Sequence, residues 1–203
     1  MRVLLIDGLN LIRRVYAGVP VADDPGSGHE AIVKSCVLSL QRALRLQPAT
    51  HVVCVMDSRS PSWRLKAYPD YKKNRSPMPD ELRDYLPKIL DAFRNIGVRA
   101  AEVDGLEADD VIGTLAQEAS EAGIDTVIST GDKDMTQLVN KHIKVVNTMN
   151  SELLDEKGVE KKFGVKPELI IDYLALVGDS SDNVPGVEKV GPKTAVKWLI
   201  EYG

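Results

Sequence analysis

The sequence holds no run of 18 apolar residues, so nothing in it reads as a transmembrane helix. It has two cysteines in 203 residues, Cys36 and Cys54, at no metal-ligand spacing. Cys36 falls on the apolar face of an expected helix and Cys54 inside an expected strand. Both read as reduced core residues of a cytoplasmic protein. The three histidines, His29, His51 and His142, are scattered, and no Ser/His/Asp or Cys/His arrangement points to nucleophilic catalysis. No expected strand runs into G-x-G-x-x-G or a P-loop, which disfavours a Rossmann-type nucleotide enzyme. The N-terminal Met-Arg-Val-Leu-Leu-Ile-Asp lacks the shape of a signal peptide, because its apolar run is short and stops at an acid. The remaining composition, 43% hydrophobic and 28% charged, is that of a globular chain with one sizeable core, or a core plus a small subdomain.

Clustered acid is what the chain does have. Asp104-Gly-Leu-Glu-Ala-Asp-Asp-Val-Ile-Gly113 packs Glu107, Asp109 and Asp110 into four residues. Val111, Ile112, Leu115, Ala116 and Ala119 follow at helical spacing, which places the acids in a first helical turn. The helix dipole favours acids there, and one of them can cap. Three exceed what capping requires, and such a cluster repels itself unless a cation neutralises it.

Taken in order, Val3–Ile6 is a short, wholly apolar run, the mark of a strand covered on both faces of a parallel sheet. Asp7 stands at its carboxyl end, where open α/β sheets bind ligands, although a helix cap explains it locally as well. A helix is expected around Leu9–Ala17, a loop over 18–28, and an amphipathic helix from Ile32 to about Leu46. His51–Met56 repeats the buried strand and ends at Asp57. Val98–Ala101 is a further strand, and Asp125–Thr130 another, followed by Gly131-Asp132-Lys133-Asp134. Ile143–Asn147 and Leu153–Leu154 are expected to form an edge hairpin. Several strands delivering acids to one edge imply an α/β parallel sheet with covering helices.

Two stretches carry opposite charge. Residues 59–75 hold Arg59, Arg64, Lys66, Lys72, Lys73 and Arg75 against the single acid Asp70, with Trp63, Tyr68 and Tyr71 interleaved. Cations for phosphates and rings for bases make a single-strand binding composition, although a solvated charged loop would share it. Near the C-terminus, the helix of Pro167–Val177 ends at Gly178 and Asp179-Ser-Ser-Asp182. A turn with Gly186 and Gly191 then leads to a helix begun by Pro192. Its N-terminus, flanked by Lys189, Lys193 and Lys197, suits sequence-independent contact with a duplex backbone, against the plain alternative of a helical hairpin.

Asp7-Gly8, Asp57, Glu107-Ala-Asp-Asp110, Gly131-Asp-Lys-Asp134, Gly178-Asp-Ser-Ser-Asp182 and Gly186-Val-Glu-Lys-Val-Gly191 together resemble the bacterial and phage 5′-nucleases. That is the flap endonuclease-like group that includes the 5′-3′ exonuclease domain of DNA polymerase I. The likeness runs from Val3 to about Leu199. It implies a PIN-like parallel-sheet core over 1–160, with a helical arch at about 59–88, and a helix–three-turn–helix DNA-binding region over 161–203. It implies Asp7, Asp57, Glu107, Asp109 and Asp132 as ligands, direct or through water, of one divalent ion and Asp134, Asp179 and Asp182 as ligands of a second, with sharing of Asp109 or Asp132 between the two left open. Asp110 corresponds to a more peripheral acid of the same group. Arg14, Lys72 and Arg75 correspond to basic residues that engage the scissile phosphate. Arg64, Tyr71 and Lys73 on the arch, with Gly186, Val187, Lys189, Gly191 and Lys193 on the hairpin, are the expected DNA contacts. A potassium site of backbone carbonyls is implied in the hairpin. Family domains continue for several more helices beyond the point matching Gly203.

These expectations resolve the net charge of −4. Setting the nine candidate metal-site acids aside leaves 21 acids against 26 basic residues, about +5 for the remaining surface. Oxygen-only ligands favour Mg²⁺ or Mn²⁺ over zinc, and two such ions can activate water and stabilise a leaving oxygen in phosphodiester hydrolysis. The expected substrate is DNA with 5′ flaps, nicks or overhangs, and RNA primer strands, acted on by a monomer with a replication polymerase as partner. Two rivals stay open: a non-catalytic DNA-binding relative, and an acid-lined ribonuclease, which would not need the 183–200 hairpin.

Overall fold

The computed structural model describes residues 1–19, 25–147, 150 and 152–203. The chain alternates strand and helix. β1 (Arg2–Asp7) leads into α1 (Gly8–Gly18) and α2 (Pro25–Leu46), then β2 (His51–Val55). Next come a short α3 (Trp63–Ala67), a long α4 (Asp80–Asn95) and β3 (Arg99–Ala101). α5 (Ala108–Glu121), β4 (Asp125–Ser129) and a 3₁₀ turn at Asp134–Leu138 follow. β5 (Ile143–Asn147), β6 (Glu152–Leu154) and α6 (Glu156–Phe163) complete the first 164 residues. A 3₁₀ turn (Pro167–Leu169), α7 (Ile170–Val177), the two-residue strands β7 (Gly178–Asp179) and β8 (Val184–Pro185), and α8 (Pro192–Tyr202) finish it.

The sheet order is β3-β2-β1-β4-β5-β6, with every pairing parallel except β5 with β6. The order reverses between β1 and β4, so the crevice that such sheets offer to ligands opens at the carboxyl ends of these two strands. β1 is covered on both faces, as its apolar run requires. Leu4 and Ile6 pack with Leu11, Cys36, Leu40 and Phe93 beneath α1, α2 and α4. Leu5 points the other way, with Ile112 and Ala116 of α5. The second cluster runs on without a break through Val159, Val165, Ile170 and Leu199, which ties the C-terminal helices to the sheet.

The structure corrects several sequence expectations. α2 starts at Pro25, so residues 25–28 are helical, although their Pro, Gly and Ser content reads as loop; residues 20–24 of that expected loop lie outside the described residues. Glu107 is the N-cap of α5 and lies just ahead of its first turn. The expected helix from Pro167 is divided, a 3₁₀ turn leading into α7. β5 and β6 do pair as an antiparallel hairpin, and β5 is also a full member of the parallel sheet. The hairpin between α7 and α8 is no simple turn, because β7 and β8 pair across it. Two of its N–H groups are spent internally: Val187 donates to Leu176 O at 2.9 Å and Val190 to Val187 O at 3.1 Å.

Gly178 and Gly186 explain how that hairpin closes. A Cβ on Gly186 would run into the backbone of Val177 and Gly178, and one on Gly178 into the backbone of Gly186. Gly178 also has φ +77°, a region open chiefly to glycine. Gly191, by contrast, has open space around it.

Candidate active site

Asp7 ends β1 and caps α1, one carboxylate oxygen accepting from Asn10 N at 3.0 Å. Its other oxygen accepts the Thr130 hydroxyl at 2.8 Å, across the switch point from β4. The cap and the functional-acid readings of Asp7 are therefore compatible. Asp57, just past β2, accepts Ala108 N at 2.7 Å, which fixes the start of α5 beside it. Glu107 receives the Ser62 hydroxyl at 2.7 Å, the Tyr71 hydroxyl at 3.0 Å and the Lys72 ammonium at 2.6 Å. Asp132 accepts Asp134 N at 2.9 Å.

Asp7, Asp57, Glu107, Asp109 and Asp132 line one cleft of about 610 Å³, together with Arg14, Lys72 and Arg75. Asp134, Asp179 and Asp182 gather beside it, one carboxylate oxygen of each lying within 4.8 Å of the others. Among the described residues no other set of three metal-ligating side chains comes this close. Asp110 stands apart from both groups. It is the bidentate partner of Arg64, at 2.7 and 2.8 Å, and accepts Glu107 N at 3.2 Å, so it braces the arch against the start of α5.

The electrostatics describe acids under strain. Burial, reinforced by Asp132 and Asp7, pushes the Asp109 carboxyl up to about 8. Burial pushes Asp7 up to about 6 and, with Asp132 and Asp179 adding repulsion, Asp134 up to about 7. Oδ1 of Asp134 is buried with no hydrogen-bond partner. For Glu107, burial also works upward, but hydrogen bonds from Lys72, Ser62 and Tyr71 outweigh it and hold the carboxyl below its ordinary value. Asp179 is likewise held down, against burial, by Ser181 and Lys133. Carboxylates crowded together, with an orphaned oxygen among them, fit a hard divalent cation.

The arch residues lie over these acids. Besides the Arg64–Asp110 and Lys72–Glu107 pairs, Arg75 pairs with Asp182 and donates from Nε to Ser181 O at 2.9 Å. Tyr68 donates its hydroxyl to Asn183 O at 3.1 Å, and Lys72 N donates to Asp182 O at 2.9 Å. The segment expected to bind DNA is thus fastened to the 179–183 loop. Tyr71 has its hydroxyl on Glu107, whereas Trp63 stays exposed. Lys73 pairs with Asp70 at 2.9 Å and is largely in solvent. Arg14 places Nη1 on Asn147 Oδ1 at 3.1 Å. On the hairpin, Gly186, Val187, Lys189 and Lys193 are exposed, and Gly191 is half-buried.

Sequence reasoning missed the groups that hold the acids in place: Ser62 on Glu107, Thr130 on Asp7, and Lys133 and Ser181 on Asp179. Thr130 and Ser181 had a signal, since each lies within two residues of a candidate acid. Ser62, 45 positions from its partner, had none.

Comparison with known proteins agrees with this geometry. Residues 2–164 match the model of the 5′-3′ exonuclease N-terminal resolvase-like domain, and residues 165–203 that of the 5′-3′ exonuclease C-terminal SAM fold. DNA polymerase I of Pseudomonas aeruginosa is 45% identical over 201 residues, covering 98% of this chain and 22% of the polymerase. The chain thus spans about a fifth of that relative. The flap endonuclease Xni of Shewanella baltica is 38% identical over 199 residues, covering 98% of this chain and 74% of the relative. In fold, the phage T5 5′-exonuclease with bound zinc superposes with a TM-score of 0.84 at 20% identity, over all of this chain and 76% of that one. The Rad2 catalytic core in complex with a DNA substrate has a TM-score of 0.61 at 14% identity, over all of this chain and 61% of that one. With both family models matched in order along nearly its whole length, the chain belongs to the 5′-3′ exonuclease family.

Proposed function

We propose that this chain hydrolyses DNA phosphodiester bonds as a structure-specific 5′-nuclease, acting on 5′ flaps and on nicked or overhanging duplex, with RNA primer strands within its range. The observation that carries this reading is the acidic trio of Asp134, Asp179 and Asp182 set beside a cleft with five more acids, under an arch whose cations reach the same carboxylates. Asp7, Asp57, Glu107, Asp109 and Asp132 would hold one divalent ion and the trio a second, Mg²⁺ or Mn²⁺ by the hardness of the donors. Such ions, when bound, supply Lewis-acid stabilisation of charge on phosphoryl oxygens.

The chain's own residues supply position and charge. Lys72 and Arg75 release their acids to meet the scissile phosphate, and Arg14 contacts it from α1. The 161–203 region grips duplex through Lys189 and Lys193, and backbone carbonyls of its helix–three-turn–helix would be the ligands of a K⁺ ion. The protein works as a cytoplasmic monomer alongside a replication polymerase. A labelled 5′-flap duplex, a nicked duplex and a single strand, each incubated with Mg²⁺ or with EDTA, test the reading. Cleavage of the flap and nick in Mg²⁺ alone supports it, whereas cleavage in EDTA or on no substrate refutes it.

A further inference from the structure

A second compartment of about 560 Å³ adjoins the cleft. It shares Arg13, Arg75 and Asp132 with the cleft and adds Asn74, Lys133 and Ser181. Its charge sets it apart. Arg13, Arg75 and Lys133 face Asp132 alone, a formal +2. The compartment that meets the cleft at Tyr71 and Asp109 has the opposite sign, with Asp109, Asp134, Asp179 and Asp182 against Arg64, a formal −3. Cations belong on the one side and an anion on the other.

Arg75 and Lys133 are already matched by Asp182 and Asp179. Arg13 is not. It is half-buried, has no ion pair or hydrogen bond among the described residues, and its Nε is fully sequestered without a partner. Its neighbour Arg14 also has a buried Nε without a partner, but its Nη1 is anchored on Asn147 Oδ1 at 3.1 Å, whereas no part of the Arg13 guanidinium has a partner among the described residues. A sequestered guanidinium edge without an acceptor is costly, and its planar fork matches the oxygens of a phosphate. Beside it, Asn10 accepts Gly131 N at 3.1 Å through its oxygen, which leaves its amide N–H groups as further donors.

We propose that this compartment is a second phosphate subsite, held by Arg13, for a nucleic-acid phosphate next to the one being cut. The proposal rests on the nuclease reading above. The phosphate is either the adjoining internal linkage or a terminal 5′-phosphate. Arg13 lies outside the set of residues that carries the family resemblance.

The test measures binding of 5′-flap DNA in EDTA, so that cleavage plays no part, at several salt concentrations. The probes are a flap with a 5′-phosphate, one with a 5′-hydroxyl, and two with a neutral methylphosphonate on either side of the cleavage point. Arg13→Gln should weaken binding of the fully charged flap about tenfold and reduce the salt slope by about 0.7. Arg13→Lys should restore the slope. Wild type should lose affinity for one neutral probe, or for the 5′-hydroxyl, and Arg13→Gln should not distinguish that probe from the charged flap; the probe affected tells internal from terminal phosphate. An unchanged slope in Arg13→Gln, or an equal loss on every probe, overturns the proposal. Should Arg13→Gln fail to fold, equal wild-type affinity for charged and neutral probes overturns it alone. Failure of wild type to bind any flap DNA would instead refute the nuclease reading.

Discussion

The Lys72 ammonium lies 2.6 Å from a carboxylate oxygen of Glu107. Lys72 reaches it from a left-handed backbone conformation, φ +56°, unusual for a residue with a side chain. Its N–H bonds to Asp182 O at 2.9 Å, which holds the strained residue in place. One residue thus joins the arch, an acid of the cleft and the loop that carries the acidic trio. A cation parked on a candidate metal ligand is ready to move to a phosphate once that ligand is otherwise occupied.

That relationship separates chemistry from capture. A cation placed over the transferring phosphoryl group acts more on the transition state than on the ground state. Lys72→Ala should therefore lower the single-turnover rate on a 5′-flap substrate about 10²-fold at saturating enzyme. Arg75→Ala should do likewise, with an added loss of affinity because its fork also holds the 179–183 loop. Lys66→Ala, exposed on α3, should change little. Wild-type rates for all three at saturation would reduce the arch to a collector of DNA.

The hairpin glycines make a stability prediction. Gly186→Ala forces a methyl group into the backbone of Val177 and Gly178 and should cost about 1–3 kcal/mol. For a chain of this size the melting temperature should fall by about 2–4 °C per kcal/mol. Gly191→Ala has open space and φ −101°, so it should melt like wild type. Equal melting of the two variants would contradict the packing described for β7 and β8.

The hairpin lysines should matter for duplex affinity alone. Lys189 is exposed, and its 3.5 Å pair with Glu188 is too solvated to hold it. Lys189→Ala with Lys193→Ala should weaken binding alike on unrelated sequences and flatten log K against log salt by about 0.9 per lost contact. An unchanged slope would remove the hairpin from the DNA interface.

Much of this organisation is legible in the sequence, and the reason is physical. A strand buried on both faces must be apolar throughout, so the acids that end β1 and β2, Asp7 and Asp57, stand out, as do Asp132 and Asp134 just past β4. Parallel topology then puts them at one edge. What could not be read is the pairing of the arch with those acids. Lys72 and Glu107 are 35 positions apart, and Arg75 and Asp182 are 107 apart; no local periodicity records such a meeting. α6 escaped notice because Val159 is its one buried residue, too little apolar pattern to register. Asp110 shared its motif with Glu107 and Asp109, yet one step around the helix turned it to Arg64.

The raised carboxyls make the metal-free protein sensitive to pH. Asp109, Asp134 and Asp7 lie at about 8, 7 and 6, against an ordinary 3.8 in the unfolded chain. The folded state then binds more protons than the unfolded state between these limits, so stability falls as pH rises from about 4 to about 8. Glu107, Asp110 and Asp179, held low, act in the opposite sense and only at more acid pH. In EDTA the melting temperature should drop between pH 5 and pH 8, and Asp109→Asn should flatten the drop. Mg²⁺ should raise the wild-type value most at pH 8. A melting temperature that climbs with pH in EDTA would contradict the assignment.

Asp109 is where the account is most exposed, because it faces both acid groups: it lines the cleft of Asp7, Asp57 and Asp132 and the compartment of the Asp134 trio. The direct measurement is single-turnover cleavage of a labelled 5′-flap duplex by wild type and Asp109→Asn, in Mg²⁺ and in EDTA, with binding followed in parallel. Wild type should cut in Mg²⁺ and not in EDTA, and Asp109→Asn should bind the flap with near wild-type affinity and leave it intact. Cleavage by Asp109→Asn at the wild-type rate, or by wild type in EDTA, would contradict a metal-dependent nuclease centred on these acids.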